Sequence, residues 1–404
     1  MRILFLGLAV PNMNEYHNMY TELMVAFREQ GHEVVIVGPA YDAQHTGVQQ
    51  EDGFQVLRVA QIKGFGPRLI QKGLTTVLMP YTYKRALKRS GIDLNFDLLI
   101  LPTPPITLTV AAQWLKRKTG LKVYLVLRDI FPQNAVDLGM MRPGSLLFKH
   151  FRRTERALYK VSDYIGCMSA ENMAYIRRHN PEVDPDKLHL LPNWGVKNDL
   201  LPPEQLDEVK ARFGLEGKFV VLFGGNIGKP QKMENVLALA EACCEIDDML
   251  FLIVGGGVEK ESLDREVAAR KMSNVMVWDY LTRSGFFELM QVADVGLISL
   301  SEDFTIPNYP SKTVTYFNAR KPVLAAIDLN TDYGRDLEEV GAGFWAHAPD
   351  TEALKQKLLQ LYENPDLRET MGNKGYAHMV AELQVGRAYE KLAAFTASQG
   401  FPLS

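Results

Sequence analysis

Cysteine is scarce, with only 3 in 404 residues. Cys167 stands alone, and Cys243 and Cys244 adjoin inside an apolar helical run. That excludes a disulfide framework and reads as reduced core thiols in a cytosolic protein. No CxxC and no Cys/His spacing suggests a metal centre. Asp184 and Asp186 form a DxD triplet, but in VDPDKL, just ahead of a strand, they read as turn residues. GxGxxG is absent after the first strand, which disfavours a nicotinamide or flavin site and with it a dehydrogenase. No run of about 18 apolar residues occurs, so no transmembrane helix is expected. MRILFLGLAV is too short for a secretory core, and EYHNMYTEL follows where a cleavage site would be, so it reads as a first buried strand. Phe54 to Ile92 lacks Asp and Glu altogether.

What is present is ordinary for a globular chain: 47% hydrophobic, 23% charged, net charge −3. The weak acidic balance argues against a general nucleic-acid binder. The length exceeds one typical core, so two domains are expected. Their spans are 1–200 and 201–383, with a final helix, 384–404, packing back toward the first.

Strands and helices alternate along the chain. Arg2–Leu8, HEVVIVGP, Phe96–Pro105, Leu121–Gln133, Asp163–Ser169 and Leu188–Trp194 read as strands of the first half. His32, at a helix-to-strand corner, reads as structural. Asn12, Asn14, Glu15 and His17 lie in the loop after the first strand, and Arg128 and Asp129 end a later one. Open α/β sheets bind ligands at such carboxyl ends.

In the second half, KFVVLFGGNIGKPQKMENVLALAEA joins a buried strand, a glycine turn and a helix from about Met233. Gly224, Gly225 and Gly228 allow close backbone approach, with Asn226, Lys229 and Lys232 beside them. Further strands are Met249–Gly257, Asn274–Leu281, Ala293–Leu300 and Lys321–Ile327. Two open α/β, Rossmann-like domains facing each other across a cleft that holds the site are the expected architecture.

The acid-free stretch carries Arg58, Lys63, Arg68, Lys72, Lys84, Arg85, Lys88 and Arg89 among aromatic and aliphatic residues. Arg142, Lys149, His150, Arg152, Arg153, Arg156 and Lys160 form a second basic cluster. Both read as faces that lie on an anionic membrane, through segments 58–89 and 142–160. The competing reading is a pair of solvated helix faces.

The motifs QGHEVVIV, HLLPNW, LFGGNIGKPQ, FLIVGGG, NVMVWDYL, ADVGLISLS and YPSKTVTYFNARKPVLA occur in one order. In that order and spacing the chain resembles the retaining sugar-nucleotide transferases of glycosyltransferase family 4, with their B-type fold. RDIFPQNAVDLG with RRTERALYKVSDYIGCMSAENMAYI resembles the polysaccharide-assembly branch that includes fucosamine transferases of O-antigen and capsule pathways.

The resemblance implies several roles. Gly225 and Asn226 stand where the family has Gly-Arg, and Gln231 where it has Lys; those cations hold the donor diphosphate. Lys229 and Lys232 are then the candidates for the missing charge. Gly255 belongs to the donor side, Trp278 and Tyr280 to the nucleobase segment, and Asn308, Ser311, Lys312 and Thr315 to the part facing sugar, diphosphate and ribose. Thr315 replaces the family's ribose-binding Glu, and Pro307 its first Glu; Glu302, Asp303 or Asn308 are the alternatives for that first position. Asp129 is the acidic candidate near the acceptor, with an ion pair to Arg128 or a helix cap as the structural alternative. Asn14, Glu15, His17 and Arg128 complete the acceptor side.

The expected activity is metal- and cofactor-independent transfer, with retention, from a UDP-sugar to a polyprenyl-diphosphate-linked saccharide. The expected place is the cytoplasmic face of the plasma membrane, with no nucleic-acid partner. A sugar-nucleotide 2-epimerase of the same architecture and a non-catalytic sugar-nucleotide binder are the alternatives.

Overall fold

The computed structural model describes residues 1–42, 44–60 and 68–403, excepting the side chains of residues 68–74. Lys63 and the side chains of Arg68 and Lys72 therefore lie outside the described residues. The chain forms two units, Met1–Trp194 with Val385–Ser404, and Gly195–Gln384.

The first unit runs β1 (Arg2–Leu6), α1 (Met19–Glu29), β2 (Glu33–Pro39), β3 (Gly47–Glu51), β4 (Phe54–Val59), α2 (Arg68–Arg89), β5 (Leu98–Pro102), α3 (Thr109–Thr119), β6 (Lys122–Val126), α4 (Gln133–Asp137), α5 (Leu146–Val161), β7 (Tyr164–Cys167), α6 (Ala170–His179) and β8 (Leu188–Leu190). Its sheet has the order β3-β4-β2-β1-β5-β6-β7-β8, with only β3 antiparallel to its neighbour. The central strands are apolar on both faces because helices cover both. Asn18 caps α1 reciprocally with Thr21, which sets the point where the loop after β1 becomes helix.

Expectation fails at one place in this sheet. Phe54–Val59 is a strand, and Arg58 within it is 1% exposed. Its guanidinium holds Glu51 across the β3–β4 turn at 2.5–2.8 Å and donates to the carbonyls of Val10, Pro11 and Pro39. Arg58 is a core residue and leaves the basic surface. Of the DxD residues, Asp184 caps a short 3-10 turn, Pro185–Lys187, by accepting from the N–H of Asp186 within it.

The second unit runs α7 (Pro203–Arg212), β9 (Phe219–Asn226), α8 (Met233–Ala242), β10 (Met249–Gly256), α9 (Lys260–Arg270), β11 (Val275–Trp278), α10 (Arg283–Val292), β12 (Val295–Ser299), α11 (Lys312–Asn318), β13 (Val323–Ile327), α12 (Tyr333–Val340), β14 (Gly343–His347), α13 (Thr351–Glu363) and α14 (Pro365–Glu382). The sheet is parallel throughout, in the order β11-β10-β9-β12-β13-β14. Strand alternation divides β9 between two cores. Phe219, Val221 and Phe223 pack on the side of α8 and α13; Val220 and Leu222 pack on the side of α10 and α11.

The last helix, α15 (Val385–Ser398), belongs to the first unit. Phe395 stacks on His189 at 3.9 Å, and Tyr389 bonds His32 at 2.9 Å. His32 is thus a buried structural residue. No helix of the described residues is long and apolar enough to cross a membrane.

Candidate functional site

In the second unit the carboxyl ends of β9 and β10 run in register, Gly225 beside Gly255 and Asn226 beside Gly256. The backbones touch. A Cβ on Gly255 would fall 1.8 Å from the carbonyl oxygen of Gly225, so Gly255 serves strand packing first. Gly225 has φ +118, a conformation left to glycine, and a Cβ there would lie 2.7 Å from Lys312 Cε.

Lys312, the first residue of α11, brings its stem over Gly225 and its ammonium 3.7 Å from the centre of the Phe223 ring. Among the described residues it has no ion pair and no hydrogen bond, only this cation–π contact. Burial pushes its amine down to about 7. The residue keeps partial exposure.

The other cationic candidates differ. Asn226 and Gln231 hydrogen-bond each other at 2.9 Å, a neutral pair where the family carries two cations. Lys229 is exposed on the turn Lys229–Gln231. Lys232 is ion-paired with Glu302, and Asp303 lies 3.5 Å away. Burial opposes the charges of Lys232 and Glu302. Burial is the largest single influence on each, but their mutual hydrogen bond and charge, with Asp303 and Asn235 adding to them, together outweigh it, raising the amine and lowering the carboxyl. Glu302 also accepts from Asn235. It is thereby held at the start of α8.

Around these residues, Trp278 packs into the core beside Phe213, their rings 6.0 Å apart. It is half-buried there, on the segment expected to flank the nucleobase. Tyr280 is 64% exposed and donates its hydroxyl to the Gly256 carbonyl at 3.0 Å, so its ring covers the end of β10. Ser311 is exposed at the start of α11, and Thr315 is partly exposed one turn on. Asn308 sits in the preceding loop, its carbonyl accepting from Thr331 at 2.6 Å.

In the first unit the loop after β1 is clamped to the β3–β4 turn. Asp52 donates its backbone N–H to Asn14 and pairs with His17 at 3.2 Å; Asn12 donates to Glu15 at 2.9 Å. Met13 N–H reaches Glu51, which ties this loop to the buried Arg58 pair.

Arg128 and Asp129 follow β6, yet they do not pair with each other. Arg128 lies 4.8 Å over the Trp194 ring and donates to the carbonyls of Leu127 and Pro192, while its Nε is buried without a partner. Burial pulls its guanidinium down to about 10. Asp129 takes two hydrogen bonds from Asn134, and burial pushes its carboxyl up to about 7 against the pull of the Ile130 N–H. Tyr20, at the start of α1, feels the charges of both, which places the two sets near each other. Asn134 was not legible as a partner, although it lies one helical turn beyond Asp129. Neither was Glu302 as the partner of Lys232.

Two family models match. Residues 17–194 match "Glycosyl transferase 4-like domain" and residues 206–378 match "Glycosyl transferases group 1". The probable glycosyltransferase WbjE of Pseudomonas aeruginosa is 23% identical over 73% of this chain and 73% of its own length. The putative colanic acid biosynthesis glycosyl transferase WcaI of Escherichia coli K12 is 22% identical over 91% of this chain and 95% of its own. Among solved structures, Anabaena HepE in complex with UDP and glucose superposes with a TM-score of 0.72 at 15% identity, covering 98% of this chain and all of that one (100%). Two parallel-sheet Rossmann-like units, matched in succession by these models, place the chain in glycosyltransferase family 4, with the B-type fold.

Proposed function

We propose that the chain transfers a sugar, with retention, from a UDP-sugar to a polyprenyl-diphosphate-linked saccharide in surface polysaccharide assembly. The observation that carries this reading is the unpaired Lys312 ammonium over the glycine end of β9. A cation beside backbone that approaches closely suits a diphosphate. The UDP bound by HepE supports a uridine donor, and the name of WcaI supports polysaccharide assembly.

In the proposed scheme Lys312 and the exposed Lys229 meet the charge that grows on the departing diphosphate, without a metal. Asn308, Ser311 and Thr315 meet the donor sugar and ribose with neutral groups. Asp129, whose carboxyl titrates near neutrality, faces the acceptor hydroxyl. A donor oxygen takes the acceptor proton as the new bond forms on the same face, so Asp129 serves to orient the hydroxyl.

We also propose peripheral membrane association through the start of α5. Leu146 is 87% exposed and Leu147 55%, with Met140 at 59%, beside the exposed Arg142, Lys149 and Arg153. Arg152 and Arg156 contribute less, being paired with Glu155 and Glu182.

The test is a transfer assay with UDP-, GDP- and dTDP-sugars and a synthetic polyprenyl-diphosphate saccharide, with the product's anomeric configuration read by NMR. Transfer from a UDP-sugar with retained configuration supports the reading. Inversion, or free epimer formed without acceptor, would sink it.

A further inference from the structure

We propose that Lys312, in place of the residues at 226 and 231, is the cation that receives the donor diphosphate, and that it takes up a proton as the donor binds. This rests on the reading of the second unit as the donor domain.

The argument is one of displaced charge. Positions 226 and 231 hold a neutral pair satisfied by its own hydrogen bond. Lys232 is neutralised by Glu302 and Asp303. Lys229 and Lys312 are the amines at the end of β9 with no ion pair among the described residues; Lys229 stands exposed on the turn, and Lys312 lies over Gly225 itself. Gly225 is what admits it, since any Cβ there would meet its stem.

An ammonium in that place is poorly compensated. The Phe223 face attracts it weakly, while burial removes water from it. Asp332 and Asp336, at the start of α12, act on Tyr309, and no charged side chain among the described residues acts on Lys312, whose shift comes from burial alone. β9 and β12 carry no ionisable side chain. Tyr316 on α11 is bonded to the Gly224 N–H and the Leu222 carbonyl. Tyr333 on α12 accepts from Thr313, and α14 meets α11 through Gly375 and His378 against Phe317. Burial without a counter-charge therefore holds the amine down to about 7 in the free protein. A diphosphate beside it supplies the missing counter-charge and favours the protonated form. The proton comes from solvent, and no bond in the donor changes.

The experiment is isothermal titration calorimetry with UDP as the probe, at pH 8, in buffers of different ionisation enthalpy. Wild type is expected to take up about 0.5–1 proton per UDP. Lys312→Arg stays charged at all working pH, so it should bind within about fivefold of wild type with uptake near zero. Lys312→Met should lose about 10- to 100-fold in affinity, and its melting temperature reports that it is folded. Uptake in wild type that disappears in Lys312→Arg supports the proposal. UDP binding without proton uptake, or with undiminished affinity in a folded Lys312→Met, overturns it and leaves the donor reading standing. Failure of wild type to bind UDP, GDP and dTDP alike would overturn both.

Discussion

Asn134 donates its amide to both carboxylate oxygens of Asp129, at 2.7 and 2.6 Å, while the adjacent Arg128 turns to backbone carbonyls. Asp129 is thus a half-buried carboxyl held by a neutral partner. The Asn134 Oδ1 is buried without a partner. The sign of the pH effect follows. Because the folded carboxyl is raised to about 7, its proton stabilises the fold fully below the ordinary carboxylate range. That contribution is lost as pH rises toward 7. Asp129→Asn mimics the protonated form. It should gain on the order of 2 kcal/mol over wild type at pH 8 and nothing at pH 4, by urea denaturation. In the transfer assay it should lose about 100-fold in kcat with KM for the donor unchanged, since it acts on the acceptor side.

The buried Arg58–Glu51 pair anchors the loop that carries Asn14, Glu15 and His17. Removing one member leaves the other charged and unpaired in the core. Arg58→Met and Glu51→Gln should each cost about 3–5 kcal/mol in urea denaturation. Arg58→Met combined with Glu51→Leu should cost clearly less than the sum, as replacing a whole buried pair often does. Additive losses would show that the carbonyl contacts to Val10, Pro11 and Pro39 matter more than the pair.

These two sites show what was legible in the chain. Apolar runs bounded by glycine mark β1, β2 and most of the strands from β5 onward, because a strand covered on both faces writes its burial into every residue. β3, GVQQE, is an exposed antiparallel edge with one aliphatic residue, and no pattern marks it. Once β3 is missed, Glu51 is unseen, and Arg58 joins the basic stretch by composition alone. The candidate lysines fared likewise. Spacing brought Lys229, Lys232 and Lys312 to one end of one sheet. It did not say that Glu302, 70 positions beyond Lys232, would claim that lysine. Counter-charge is a property of the folded chain, and so is the choice among three similar side chains.

That choice gives a ranking to measure. Lys232→Ala should weaken UDP binding by less than about fivefold, because its charge is already spent on Glu302. Glu302→Gln should leave UDP binding equal or tighter, since it frees Lys232. If Lys232→Ala proves as damaging as Lys312→Met, Lys232 leaves Glu302 for the ligand and the ranking is wrong.

The membrane proposal separates into two terms with different salt behaviour. Leu146 and Leu147 are large, exposed and adjacent at the start of α5, so their contribution is burial of apolar surface and insensitive to salt. Lys149 and Arg153 contribute electrostatic attraction that weakens as the Debye length shortens from about 10 Å at 0.1 M to about 3 Å at 1 M salt. Liposome co-sedimentation should therefore show wild type binding vesicles with anionic lipid and releasing them partly with salt. Lys149→Glu with Arg153→Glu should abolish the anionic preference. Leu146→Gln with Leu147→Gln should lower binding at every salt concentration and leave the salt slope as it was. Equal binding of neutral and anionic vesicles by wild type would remove the electrostatic contribution, and binding to neither would leave α5 a solvated helix face.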